Sequence, residues 1–471
     1  MPTSATRDQL PFLNLSEASQ AVQTKKASPV ELTQACLARI EHLDSRLKSF
    51  ITVTAESAME EAHKAEAEIT RGEWKGPLHG IPLAVKDLAE TAGVRTTAAS
   101  KVLEHHIPSE DAEVVRRLRA AGAVMLGKLN LHEFAYGGSG VVGHFGIAKN
   151  PWNTAHITGG SSSGSAAAVA AGLCYGAIGT DTAGSIRLPA AYCGIVGLKP
   201  SYGLVSVRGI IPLSWSLDHA GPMARTVADA ALILQAIAHY DHHDVYSQKF
   251  PPVYYPSAMA DSCSALRVGL ARKFWEEAEP EIREAVDAAV EVLRRETAGL
   301  HDIDLSTDVD RTVVRCEPYV YHQRHLPAHE GAYQPETVKR IRSGTDVTAA
   351  DYVQHYRDLL RARREIVELF SKVDVIVTPT TPVLPPKIAD LEANPELRSK
   401  ELLMLRNTRP FNVWGLPTIS IPCGFSKSGL PIGLQIAGAP GAEGTVLALA
   451  RAYEQQTDWH RKKPMLGSPI K

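Results

Sequence analysis

The chain has 471 residues, 44% of them hydrophobic and 22% charged, so it can bury a large core and is not a mainly disordered chain. Its formal net charge is −2, with acids and bases mixed throughout, which gives no electrostatic reason to expect a nucleic-acid partner. No run approaches the ~18 apolar residues of a membrane span, and residues 1–10 lack the apolar centre of a secretory signal. These features point to a cytoplasmic protein with no membrane partner. The six cysteines (Cys36, Cys174, Cys193, Cys263, Cys316 and Cys423) are scattered and form no CxxC pair, so they read as buried free thiols rather than zinc ligands or a redox motif.

In chain order, Ser28-Pro29-Val30-Glu31 joins a capping serine, proline at the first helical position and glutamate three residues after the cap. Leu32, Cys36, Ile40 and Leu43 follow at helical spacing, and a second helical pattern covers residues 55–71. Residues 81–85 read as a buried strand entering Lys86, residues 111–121 as an amphipathic helix and residues 123–127 as the next strand. The alanine-rich stretch 165–171 predicts a closely packed helix, and 225–240 a helix with a Thr226/Asp229 box. The last third gives a strand at 266–270, a helix at 280–296, a long helix from a Thr348/Asp351 box to about residue 370, and strands at 374–379, 419–422 and 432–436. This mixed order predicts an α/β fold, a layered α/β/α sandwich around a large mixed sheet. The whole chain, 1–471, reads as one domain, with residues 1–75 a helical region packed on it.

Two segments are crowded with glycine and serine. They are Gly159-Gly160-Ser161-Ser162-Ser163-Gly164-Ser165-Ala166 and Asp181-Thr182-Ala183-Gly184-Ser185-Ile186-Arg187. Such composition suits a backbone that turns sharply and approaches a substrate closely. The first segment also fits G-x-S-x-G with Ser162 as nucleophile, but that motif needs a preceding strand, and residues 150–154 are loop-like. A phosphate cradle fails because Ser165 occupies the slot a P-loop gives to lysine. The run His239-Tyr240-Asp241-His242-His243-Asp244 reads as a solvated loop rather than a metal site, and Ser45-Arg46-Leu47-Lys48 as a chance S-x-x-K.

With His79-Gly80-Ile81-Pro82-Leu83-Ala84-Val85-Lys86-Asp87, residues 179–199 and 221–229, Gly415-Leu416-Pro417, and the stretch Gly429 to Gln435, these segments resemble the amidase signature family of serine hydrolases. The resemblance covers most of the chain. It implies Ser185 as nucleophile, Ser161 as bridging serine after a cis peptide bond, and Lys86 as base. It further implies an oxyanion hole from the backbone N–H groups of Thr182, Ala183, Gly184 and Ser185, with Ser162, Asp181 and Arg187 in support. A lysine acts as base only when neutral, so burial must lower its pKa. The family commonly has two glycines before the nucleophile, whereas this chain has Ala183-Gly184, so Ala183 must hold a negative φ or the turn must reshape. Asp181 and Arg187 read as an ion pair bracing the loop. Tyr136, Gly138 and Trp215 are candidates for the pocket wall. No metal or organic cofactor is expected, and a homodimer would be unsurprising.

The implied activity is hydrolysis of a small-molecule linear amide or carbamate (urethane). One branch of the family is the glutaminase component of the tRNA-dependent amidotransferase, which works with partner subunits and which this chain resembles around Val338-Lys339-Arg340-Ile341 and residues 374–382. That branch tends to carry an acidic residue seven positions before Asn412, where this chain has Leu405, which favours a stand-alone amidase. A catalytically inactive binding protein is the remaining alternative, opposed by the joint presence of Lys86, Ser161 and Ser185.

Overall fold

The computed structural model describes residues 10–392, 394 and 396–466. An eleven-stranded sheet runs through it in the order β1-β3-β2-β4-β6-β5-β10-β11-β9-β7-β8. Its strands are β1 (Phe50–Val53), β2 (Pro82–Lys86), β3 (Val124–Leu129), β4 (Gly176–Thr180), β5 (Val196–Lys199), β6 (Ala220–Ala224), β7 (Arg267–Ala271), β8 (Gly299–Ile303), β9 (Val375–Pro379), β10 (Thr418–Phe425) and β11 (Pro431–Gly438). Strand β2 lies parallel to β3 and β4, and β7 lies parallel to β8 and β9. The remaining pairs are antiparallel, so the sheet is mixed as expected.

Every residue of β2 through β6, β9 and β11 is buried. Strands buried on both faces need helices above and below, which is the α/β/α layering expected from the sequence. Among the strands, exposed positions occur only in the two edge strands, β1 and β8. Strand β1 adds an element to the N-terminal region that the sequence predicts as helical, pairing with β3 at the sheet edge.

Local chemistry explains the helix starts. Ser28 Oγ accepts the Glu31 N–H at 3.1 Å and Glu31 returns the bond to Ser28 N at 2.8 Å, opening the helix Pro29–Leu47. The Thr348/Asp351 box opens Ala349–Glu365 in the same way. The helix Val227–Ile237 has only half a box: Thr226 Oγ1 accepts from Asp229 N, but the Asp229 carboxylate accepts from Ser16 N at 3.1 Å.

One close approach fixes the centre of the sheet. A Cβ at Gly197 would lie 2.6 Å from Ala190 Cβ, and one at Gly433 the same distance from Ala191 Cβ. Glycine on β5 and β11 therefore lets the short helix Arg187–Cys193 press onto the sheet. That helix follows Ser185 directly, so its seating fixes the serine. The six cysteines are buried free thiols, as read from their spacing. The His239–Asp244 loop is more enclosed than expected: Asp241 and Asp244 are buried and both accept from Ser206 Oγ at 3.0 Å, while His239 Nε2 meets Glu113 at 2.8 Å. Among the described residues no helix is long and apolar enough to cross a membrane.

Candidate active site

Lys86 is the last residue of β2 and is 1% exposed. Its Nζ lies 2.6 Å from Ser161 Oγ and 2.7 Å from Thr180 Oγ1 at the end of β4. Side chains alternate along a strand, so Asp87 points away from this pair. It accepts from Thr97 N at 2.9 Å and faces Lys128 Nζ at 3.5 Å. Burial pushes the Lys86 ammonium down to about 7, against the pull of Asp181 and Asp218. Burial therefore makes the neutral amine readily available near neutrality.

The peptide bond Gly160–Ser161 is cis, as the resemblance implied. Gly160 N–H donates to the Gly138 carbonyl at 2.7 Å, and the Ser161 carbonyl accepts from His132 N at 3.0 Å. These bonds hold Ser161 from both sides, and they place Gly138 beside it. Ser162 N–H donates to the Ser185 carbonyl at 3.2 Å, which docks the two serine-rich segments on each other. The Ser162 hydroxyl is engaged with the backbone of Thr180, donating at 3.2 Å and accepting at 3.3 Å. That engagement, and the lack of a strand before it, removes the nucleophile-elbow reading.

The loop Thr182–Ser185 is pinned through its carbonyls. The Thr182 carbonyl accepts from Arg311 Nη2 at 3.0 Å, that of Ala183 from Thr408 Oγ1 at 2.6 Å, that of Gly184 from Leu188 N at 2.7 Å, and that of Ser185 from Ser162 N. With the carbonyls held by protein, the N–H groups of Thr182, Ala183 and Ser185 have no partner among the described residues. The fourth expected donor departs from the reading: Gly184 N–H already donates to Asp181 Oδ1 at 2.7 Å. Ala183 is absent from the positive-φ residues, whereas Gly184 has φ +131°. One glycine therefore suffices for this turn, and alanine before it is unstrained.

Asp181 and Arg187 form the expected ion pair, fully buried, with Nη2 3.0 Å from Oδ1 and Nε 3.0 Å from Oδ2. Asn412 joins both members: its Nδ2 donates to Asp181 Oδ1 at 2.8 Å and its Oδ1 accepts from Arg187 at 2.7 Å. Gln435 Oε1 and the Thr408 carbonyl take the other Arg187 nitrogen at 2.8 and 3.0 Å. Burial alone would raise the Asp181 carboxyl, but Arg187 holds it well below the usual carboxylate range. At Lys86 burial outweighs the pull of Asp181, whose charge is paired with Arg187. Asp218 accepts from Thr182 Oγ1, and burial pushes its own carboxyl up to about 7. Thr180, Asn412, Thr408 and Asp218 were not assigned to the site by sequence reasoning. They come from β4, the C-terminal third and a loop before β6, and no short motif ties them to the serines.

The three wall candidates differ in place. Gly138 touches the Ser161 segment, and a Cβ on it would lie 2.9 Å from Leu405 Cδ1. A Cβ at Gly184 would meet Leu405 Cδ2 at 3.0 Å, so Leu405 bridges the two loops. Tyr136 is buried with its hydroxyl donating to the Val314 carbonyl at 2.9 Å. Trp215 lines a cavity of about 270 Å³ together with Pro212, Asp218 and Tyr246.

A mixed eleven-stranded sheet carrying a buried lysine–serine pair beside a pinned serine loop defines an α/β enzyme of the hydrolase class. The chain belongs to the Amidase family, whose sequence pattern matches residues 31–447. It is 39% identical over 490 aligned residues to the A subunit of glutamyl-tRNA(Gln) amidotransferase from Moorella thermoacetica, covering 98% of this chain and 99% of that protein. Among solved structures, native peptide amidase from Stenotrophomonas maltophilia gives a TM-score of 0.84 at 32% identity, covering 98% of this chain and 100% of that one. The A subunit of glutamyl-tRNA(Gln) amidotransferase from Thermotoga maritima gives 0.77 at 34% identity, covering 95% of each chain.

Proposed function

We propose that the chain hydrolyses a small carboxamide through a seryl acyl-enzyme, with Ser185 as nucleophile, Ser161 as bridge and Lys86 as base. The observation that carries this reading is the buried Lys86 Nζ, 2.6 Å from Ser161 Oγ and without a carboxylate on it. Neutral Lys86 takes the Ser161 proton as Ser161 takes that of Ser185. Ser185 Oγ then adds to the amide carbon. The negative charge on the carbonyl oxygen is met by the free N–H groups of Thr182, Ala183 and Ser185, which need no reorganisation because the carbonyls are held behind them. The C–N bond breaks as Ser161 delivers its proton to the leaving nitrogen and Lys86 reprotonates Ser161. Water enters, gives its proton back along the same path and frees the acid. A carbamate would follow the same steps through a carbamoyl-enzyme.

Two readings of the substrate stand beside each other. Full-length similarity to A subunits of the glutamyl-tRNA(Gln) amidotransferase favours a glutaminase that feeds ammonia to partner subunits. The site wall favours a free-standing amidase: Leu405, an apolar side chain with no affinity for an ammonium, spans the Gly138 and Gly184 loops. Substrate choice follows the wall rather than the fold, which favours the free-standing enzyme. Turnover by the purified chain decides between them. The expected result is hydrolysis of simple carboxamides without any partner and little glutaminase activity. Glutamine turnover that appears only with amidotransferase partner subunits would establish the other reading.

A further inference from the structure

The wall of this site carries more positive charge than the surrounding acids compensate. Arg311 donates from Nη2 to the Thr182 carbonyl, and its Nε is buried without a partner. Arg409 follows Thr408, which holds the Ala183 carbonyl, and its Nε is likewise buried and unpartnered. Arg398 lies over the Tyr136 ring, 5.7 Å from its centroid. Among the described residues, no carboxylate comes within 4.0 Å of Arg311 or Arg409. Asp308 acts on Arg409 from beyond ion-pair distance, and the other nearby acids are committed elsewhere. Glu401 meets Arg340 at 2.8 Å and Arg398 at 3.6 Å, and also accepts from Ser139. Glu336 pairs with Arg340 and Glu277 with Arg406. Arg311 and Arg409 are only partly buried as residues. Burial first, and then the charges of Arg409 and Arg398, push the Arg311 guanidinium down to about 9, against the smaller pull of Tyr136 and Asp181.

We propose that Arg311, Arg398 and Arg409 form a subsite for a carboxylate on the substrate, so that the enzyme's amides bear a negative charge and no ammonium beside it. This rests on the amidase reading above. Guanidinium groups with free N–H donors match the planar carboxylate in geometry as well as charge. An ammonium in the same place would meet three cations and the methyl groups of Leu405, so glutamine fits it less well than its deaminated analogue.

Glutaramate and pentanamide, which share a chain length and differ in the terminal carboxylate, provide the test. The wild-type enzyme is expected to favour glutaramate over both pentanamide and glutamine in kcat/KM, by roughly tenfold or more. Arg409→Gln and Arg311→Gln should each shrink the glutaramate-to-pentanamide ratio by roughly tenfold, with Arg398→Gln acting in the same direction. A ratio near one in the wild type, or variants that lower both substrates equally, would overturn the subsite. If neither amide is turned over, the amidase reading fails on its own, and calorimetry of glutarate with Ser185→Ala still tests the arginines. Binding that weakens when Arg409→Gln is added supports the subsite, and no binding at millimolar glutarate refutes it.

Discussion

Ser185→Ala is expected to lower kcat on any carboxamide substrate by roughly ten-thousand-fold or more, because without the hydroxyl no acyl-enzyme forms. The residual rate would come from the pinned N–H groups and from substrate binding alone. The same change should leave the fold untouched. Among the described residues the Ser185 hydroxyl makes no hydrogen bond, and the loop is held by its carbonyls and by Asp181. Steady-state kinetics and thermal unfolding of the two proteins check both halves. Retention of more than about one hundredth of the activity would remove Ser185 from the role assigned to it.

The second large effect concerns stability. Arg187→Met is expected to destabilise the protein by about 3–5 kcal/mol, the usual cost of leaving a buried charge without its partner. Here the abandoned group is Asp181, fully buried and pressed against three backbone N–H groups of the serine loop. The Asn412 and Gln435 side-chain oxygens and the Thr408 carbonyl lose their donor as well. A second consequence follows from electrostatics. The unscreened Asp181 charge would favour the protonated Lys86, so whatever activity survives should need a higher pH. Denaturant unfolding measures the first effect and a pH–rate profile the second. A loss below about 0.5 kcal/mol would mean that the pair braces nothing.

The parts of this molecule legible in the sequence are those whose chemistry is local. Ser161 and Ser185 sit in glycine-rich segments that signal close backbone approach, Lys86 ends an apolar strand, and the Asp181–Arg187 pair is only six positions apart in sequence. The capping serine at 28 and the box at 348 mark their helices. Strands β4 and β6 were not legible. Their residues, Gly-Ala-Ile-Gly-Thr and Ala-Gly-Pro-Met-Ala, lack the β-branched and aromatic character of typical strands. Pro222 argues against a central strand, yet β5 pairs with β6 only at Met223 and Ala224, so the proline lies beyond that shared ladder. The second ring of the site was equally hidden. Thr408, Asn412 and Gln435 reach the serine loop from more than two hundred residues away, and only the sheet order brings β11 and the helix Arg187–Cys193 together. The free positive charge at Arg311 and Arg409 belongs to this class, since an arginine's want of a partner is a property of the fold.

The central claim is that a neutral, buried Lys86 draws the proton from Ser185 through Ser161. The most direct test is the rate at which a fluorophosphonate labels the protein as a function of pH, with the adduct located by mass spectrometry. Below the Lys86 pKa of about 7 the amine is charged and accepts no proton, whereas above it the lone pair is free. Labelling should therefore be confined to Ser185, slow in acid, and climb to a plateau through a midpoint near 7. A rate that stays flat down to about pH 5, or an adduct on another serine, would contradict the account.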